Sequence, residues 1–66
     1  MKLPIRLDQY LKRIGVAQTG GHAKYLITEG FVRVNEEVAH QRGKKLYEGD
    51  KVSCDGQDWV VSENNS

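Results

Sequence analysis

The sequence predicts an α+β fold in which two short helices are followed by short strands. Three observations predict it. Apolar residues recur at helical spacing up to Gly30, and the pattern switches to alternation directly after it. Further on, Asp55-Gly56 separates two apolar stretches, the strongest short hairpin signal.

The first helix is predicted from Leu7 to Ile14. Leu7, Leu11 and Ile14 fall at i, i+4 and i+7 with Tyr10 at i+3, one apolar stripe. Asp8 in the first turn and Lys12 and Arg13 in the last match the helix dipole at both ends. Asp8 and Lys12 also form an i,i+4 pair, a contribution of about 0.3 kcal/mol. Pro4, which cannot donate a backbone bond, belongs to the lead-in, and Gly15 closes the helix. Taken alone, Lys12 and Arg13 read equally well as a solvated helix end or as a binding pair. The link Val16-Ala17-Gln18 is short, however, so this end and the start of the next helix are neighbours.

Thr19 has the hydroxyl of an N-cap. Gly20 and Gly21 then occupy the first helical positions, where each costs roughly 1 kcal/mol of propensity relative to alanine. Without a Cβ, they leave bare N–H groups open to a phosphate at the positive end of the helix, with Lys24 one turn on as its flank. A flexible loop before the helix is the other reading, and the local residues leave both open. Ala23, Leu26 and Ile27 face the core, while His22, Lys24 and Glu29 face water. Gly30 supplies the left-handed stop. In Phe31-Val32-Arg33-Val34, Val32 and Val34 are the inward pair.

Asn35-Glu36-Glu37 reads as a turn, and Val38 to His40 as the start of a second short strand. Gln41 to Leu46 is a second basic element: Arg42 can grip a phosphate bidentately, Lys44 and Lys45 add mobile charge, Gly43 permits a bend and Leu46 anchors the segment. Tyr47 to Asp50 is a turn around Gly49. Lys51 to Ser62 is the hairpin, with Val52 and Cys54 alternating on one strand and Trp59 covering the sheet from the other. Residues 63–66 are expected to be a disordered tail.

Sixty-six residues allow one domain, 1–66, burying only about 60% of the surface its unfolded chain exposes. A deep catalytic cleft between lobes does not fit such a chain. Cys54 is the single cysteine, so no internal disulfide forms and a reducing compartment is expected. No apolar run approaches the roughly 20 residues of a membrane span, and no signal segment opens the chain. A cytoplasmic protein is expected.

Net charge is +1, but its distribution is uneven. Residues 1–28 carry five bases against Asp8 alone, for +4, and residues 41–51 carry four bases against two acids, for +2. Residues 29–40 total −2 and residues 52–66 total −3. If the fold joins the two basic segments, one face becomes a polyanion site.

Catalytic chemistry is thinly represented. Ser53, Ser62 and Ser66 have no His-acid partner nearby in sequence, and no phosphate loop or dinucleotide fingerprint occurs. Cys54 sits in a strand beside acids, which raises its thiol pKa and deactivates it. His22 and His40 lie eighteen residues apart without neighbouring ligand types and read as surface histidines. No enzyme activity, cofactor or metal is expected; binding is the default.

Ile5-Arg6-Leu7-Asp8 with Leu11 and Gly15, then Ala23-Lys24, Leu26-Ile27, Glu29-Gly30, Val32-Arg33-Val34-Asn35 and Gly49-Asp50, together resemble the S-four domain. That is the RNA-binding module of the fourth small-subunit ribosomal protein and its relatives, the αL motif. The likeness runs from about Arg6 to Val52. Gly20-Gly21 and Arg42 to Leu46 look more particularly like small stand-alone bacterial members associated with ribosome assembly. The resemblance implies two helices packed on a small, mostly antiparallel sheet. It implies a monomer that binds structured RNA, ribosomal RNA foremost, through Lys12, Arg13, Thr19, Gly20, Gly21, Lys24, Arg42, Lys44 and Lys45. Arg6 belongs to the Arg-Leu-Asp signature and is either a structural partner of an acid or an RNA contact.

Two departures stand out. Many members carry arginine or serine where this chain has Gly20-Gly21, which shifts contact there to main-chain N–H groups. The glycine that usually follows Val-Asn is Glu36, so the Glu36-Glu37 corner is expected to point away from nucleic acid. Two other classes remain open. The acidic hairpin with Trp59 could dock on a protein, or the chain could deliver RNA to a modifying or quality-control complex.

Overall fold

Among the described residues eight short elements follow one another, the longest links being the six residues 14–19 and the six residues 39–44. The computed structural model describes residues 2–63. Strand β1 (Ile5–Arg6) runs directly into helix α1 (Leu7–Arg13), and α2 (Gly20–Thr28) follows. Strands β2 (Val32–Val34), β3 (Glu37–Val38), β4 (Lys45–Leu46), β5 (Lys51–Cys54) and β6 (Gln57–Val60) complete the chain. The architecture is α+β, as the periodicity predicts, and every strand pair is antiparallel. One sheet has the order β3-β2-β5-β6; a second pairs β1 with β4.

Both helices end for the reasons their sequences supply. Ile14 caps α1, and Gly15 follows at φ +82°. Glu29 caps α2, and Gly30 takes the same left-handed φ of +82°. Directly afterwards the side-chain period becomes two: Val32 and Val34 are buried and Arg33 is exposed.

Tight turns set the register of the large sheet. Asn35 and Glu36, both at positive φ, turn β2 into β3 so that Val34 faces Glu37. Asp55 and Gly56, also at positive φ, make the predicted hairpin, pairing Cys54 with Gln57 and Val52 with Trp59. A polar brace locks the sheet to the turn before β5. The Asn35 side-chain amide donates to Asp50 (3.2 Å) and its carbonyl accepts from the Lys51 N–H (3.0 Å). The other oxygen of Asp50 accepts from the Tyr47 N–H (2.8 Å), and Gly49 sits at φ +88°. Asn35, Gly49 and Asp50, three of the residues that carry the family likeness, are therefore held together by the fold itself.

A single buried cluster joins the elements. Leu7, Tyr10 and Leu11 of α1 and Ala23 and Ile27 of α2 meet Val32 and Val34 of β2, Leu46 of β4, Val52 and Cys54 of β5, and Val61. Trp59 packs partly buried against this cluster, as its strand position predicts. Burial, more than the adjacent Asp55, pushes the Cys54 thiol above its ordinary pKa, so it is a protonated core residue. Of the tail expected over residues 63–66, the part from Asn64 onward lies outside the described residues.

Candidate nucleic-acid interface

The basic loop before β4 is fixed to the first helix through main-chain atoms. A helix start leaves N–H groups without internal partners. At α1 these are met by the loop: the Leu7 N–H donates to the carbonyl of Lys44 (2.8 Å) and the Asp8 N–H to that of Arg42 (3.1 Å). Beside them, Ile5 pairs with Leu46 and Arg6 with Lys45 across β1 and β4. Leu46 is fully buried and pins the segment, while Arg42, Lys44 and Lys45 are exposed. Residues nearly forty positions apart in sequence thus share one corner: Arg6, Arg42, Lys44 and Lys45.

Arg6 has a second bond in that corner. Its guanidinium donates to Asp8 at 2.9 Å, and the other oxygen of Asp8 accepts from the Gln9 N–H at 2.8 Å. Asp8 is the one buried charged residue among those described, which a carboxylate tolerates only when paired. The structural role of Arg6 is therefore visible in the geometry, and half of its side chain stays in water.

Lys12 and Arg13 lie at the other end of α1, both exposed, with Gln9 completing the solvent-facing stripe. Seven residues at about 1.5 Å each put roughly 10 Å of helix between the two ends. Gln9 is a stripe member that periodicity alone could have identified.

The start of α2 is open in the way its sequence suggests. The Thr19 hydroxyl accepts from the His22 N–H (3.0 Å), and the Thr19 carbonyl from the Ala23 N–H (3.0 Å). Thr19 is thus the N-cap, occupied within the helix. The N–H groups of Gly20 and Gly21 precede these bonds and remain for an outside acceptor. A Cβ on Gly20 would meet nothing within 4 Å, and one on Gly21 only the Thr19 hydroxyl at 3.9 Å; neither has positive φ. Nothing inside the protein demands glycine at these two positions. Lys24 is exposed one turn on from Gly20.

The acidic corner is less remote than expected. The register places Glu37 opposite Val34, and Glu37 stays exposed. Glu37, Asn35, His40, Gln41 and Lys44 share the lining of an open groove of about 360 Å³. The two-residue turn, by flipping Glu37 to the side of Val34, is the physical cause. The sequence reads His40 as a surface histidine and Gln41 as the start of the basic element, and marks neither as a binding residue. Only the pairing register, which joins distant segments, reveals their position.

No helix among the described residues is long and apolar enough to cross a membrane, and no group of three or more metal-ligating side chains occurs among them. The S4 domain family matches residues 2–62. The chain is also 48% identical over 52 residues to the probable ribosome maturation protein RlbA of Bacillus subtilis (strain 168), covering 79% of this chain and 73% of that protein. With nearly its whole length matched, the chain belongs to the S4 domain family.

Proposed function

We propose that this chain is a non-catalytic RNA-binding protein that acts as a single cytoplasmic, monomeric domain in ribosome assembly. Its target is folded RNA, ribosomal RNA foremost, gripped by backbone and shape. Membership of the S4 domain family and similarity to a ribosome maturation protein support this reading. The observation that carries it is the main-chain attachment of Arg42 and Lys44 to the first turn of α1. Through it, the backbone that carries these cations is tied to the start of α1.

The chemistry follows from what RNA presents. Side chains cannot enter the deep, narrow major groove of an RNA helix, so phosphates and riboses at a helix–loop junction are the accessible targets. Arg42 supplies a planar fork for two phosphate oxygens, Lys44 and Lys45 supply point charges, and Lys12 and Arg13 extend the row along α1. At α2, the main-chain N–H groups of Gly20 and Gly21 donate to a phosphate, with Lys24 beside it. Such contacts position the protein and carry little sequence information. Specificity then comes from the shape that brings several phosphates into register at once.

Binding of a ribosomal RNA fragment, followed against salt, tests this. Three to five phosphate contacts give a slope of log K against log salt of roughly −2 to −4.5. Replacing Arg42, Lys44 and Lys45 together by alanine reduces that slope in magnitude by roughly 2 to 2.7. The melting temperature should barely move, because the loop is held by its carbonyls and by Leu46. A salt-independent affinity, or an unchanged slope in the triple variant, refutes the reading.

A further inference from the structure

Between α2 and the β5–β6 hairpin lies an open groove of about 390 Å³ that phosphate binding leaves unused. Val16, Leu26 and Cys54 form its apolar part, and Phe31, His22 and Asp55 complete the lining. Phe31 is 53% exposed and Tyr25, next to it, 56% exposed, their rings 6.1 Å apart between centroids and tilted by 55°. Two of the chain's five aromatic rings thus stand together in water, although so small a protein has few apolar groups to spare for its core. Neither belongs to the core pattern. Phe31 falls on the outward phase of the β2 alternation, and Tyr25 lies off the Ala23–Ile27 face of α2.

The polar groups at the groove are of two kinds. The His22 Nδ1 accepts from the Gln18 N–H at 3.4 Å, so in the neutral ring the proton is on Nε2 and that nitrogen is a donor. Asp55, held on the hairpin turn at φ +54°, contributes a carboxylate, an acceptor of two parallel bonds. A carboxylate repels a phosphate but suits the edge of a base.

We propose that this groove takes one unstacked base of single-stranded RNA, with guanine preferred. The proposal rests on the RNA-binding reading above and names a further subsite. Stacking on an exposed ring is how proteins hold splayed RNA bases, whose edges are then read by hydrogen bonds. Here Phe31 is the stacking face and Tyr25 backs it. Among the four RNA bases, guanine alone presents two adjacent N–H donors, N1–H and N2–H, to a carboxylate such as that of Asp55. Its O6 and N7 are acceptors, and the His22 Nε2–H is a donor.

The test uses the full chain and hexauridylate carrying guanine, adenine, cytosine or uracil at its fourth position, followed by fluorescence anisotropy and by backbone amide shifts. The guanine oligonucleotide should bind tightest and move the amides of Val16, His22, Phe31 and Asp55. Phe31→Ala should weaken binding of every oligonucleotide roughly tenfold, in the range of one lost base stack. Asp55→Asn, which keeps a residue tolerant of left-handed φ, should erase the guanine preference, so that the guanine and uracil oligonucleotides bind this variant equally. Oligonucleotides that bind with equal affinity, with Phe31→Ala behaving as wild type, overturn the base site and leave phosphate binding standing. So does an apolar peptide that moves the groove amides when the RNA does not. Failure of every oligonucleotide and of the ribosomal RNA fragment overturns both.

Discussion

Asp8 shows how one residue can be demanded by the fold while standing among functional neighbours. It is buried to 6% relative exposure at the start of a helix, where a carboxylate suits the dipole, and it is held by Arg6 and by the Gln9 N–H. Removing Arg6 leaves that carboxylate with only the backbone bond. Because half of the Arg6 side chain is solvent-exposed, screening reduces the cost to about 1 kcal/mol. For a domain of this size that is a fall of roughly 4–8 °C in melting temperature. Arg6→Ala should show it in a thermal melt, and Arg6→Lys, which keeps the charge without the fork, should recover part of it. If Arg6 serves the fold alone, RNA affinity measured well below the melting temperature stays at the wild-type value in both variants. A tenfold loss of affinity in Arg6→Ala without the thermal shift would contradict the structural role.

At the scale of elements, the start of α2 poses a trade between stability and access. Glycine in a helix costs roughly 1 kcal/mol against alanine, less at the first turn, and a methyl group at Gly20 or Gly21 meets no crowding. Gly20→Ala with Gly21→Ala should therefore raise the melting temperature by a few degrees, because the unfolded chain loses freedom. The same variant should bind RNA several-fold more weakly if phosphate approaches those N–H groups closely. A more stable variant with undiminished affinity would show that the glycines serve no ligand. This element was legible in the sequence because its signals are local: a capping hydroxyl, two glycines, a 3.6-residue period and a glycine stop. The Asp55-Gly56 hairpin was legible for the same reason. What the sequence hid was the joining of distant segments. The carbonyls of Arg42 and Lys44 capping α1, the Asn35–Asp50 brace and Glu37 in the groove beside Lys44 depend on strand register, which no local pattern encodes. The groove under Phe31 was not read from the sequence either: the alternation turns Phe31 outward, but only the tertiary fold brings His22 and Asp55 beside it.

At the scale of the molecule, the cations fall into two groups with α1 as the ruler between them. Arg6, Arg42, Lys44 and Lys45 gather at its start; Lys12 and Arg13 stand at its end, and the six-residue link 14–19 leads from there to Gly20 and Lys24. The separation along the helix is about 10 Å, a fair part of a molecule whose longest dimension is 28 Å. Groups so far apart with no shared partner act independently on the protein side, so their effects on binding free energy should add. A single folded RNA that touches both makes the second contact intramolecular, and affinity then reflects both groups together. The alanine triple at Arg42, Lys44 and Lys45 and the alanine pair at Gly20 and Gly21 should therefore multiply their losses on a structured ribosomal RNA fragment. On a di- or trinucleotide too short to bridge the groups, each bound molecule meets only one of them, and combining the variants should produce no multiplied loss at either. Titration of both RNAs against wild type, each variant and the combination separates these outcomes. If the structured RNA responds to one variant and ignores the other, the two groups do not form one surface, and the second group has some other use.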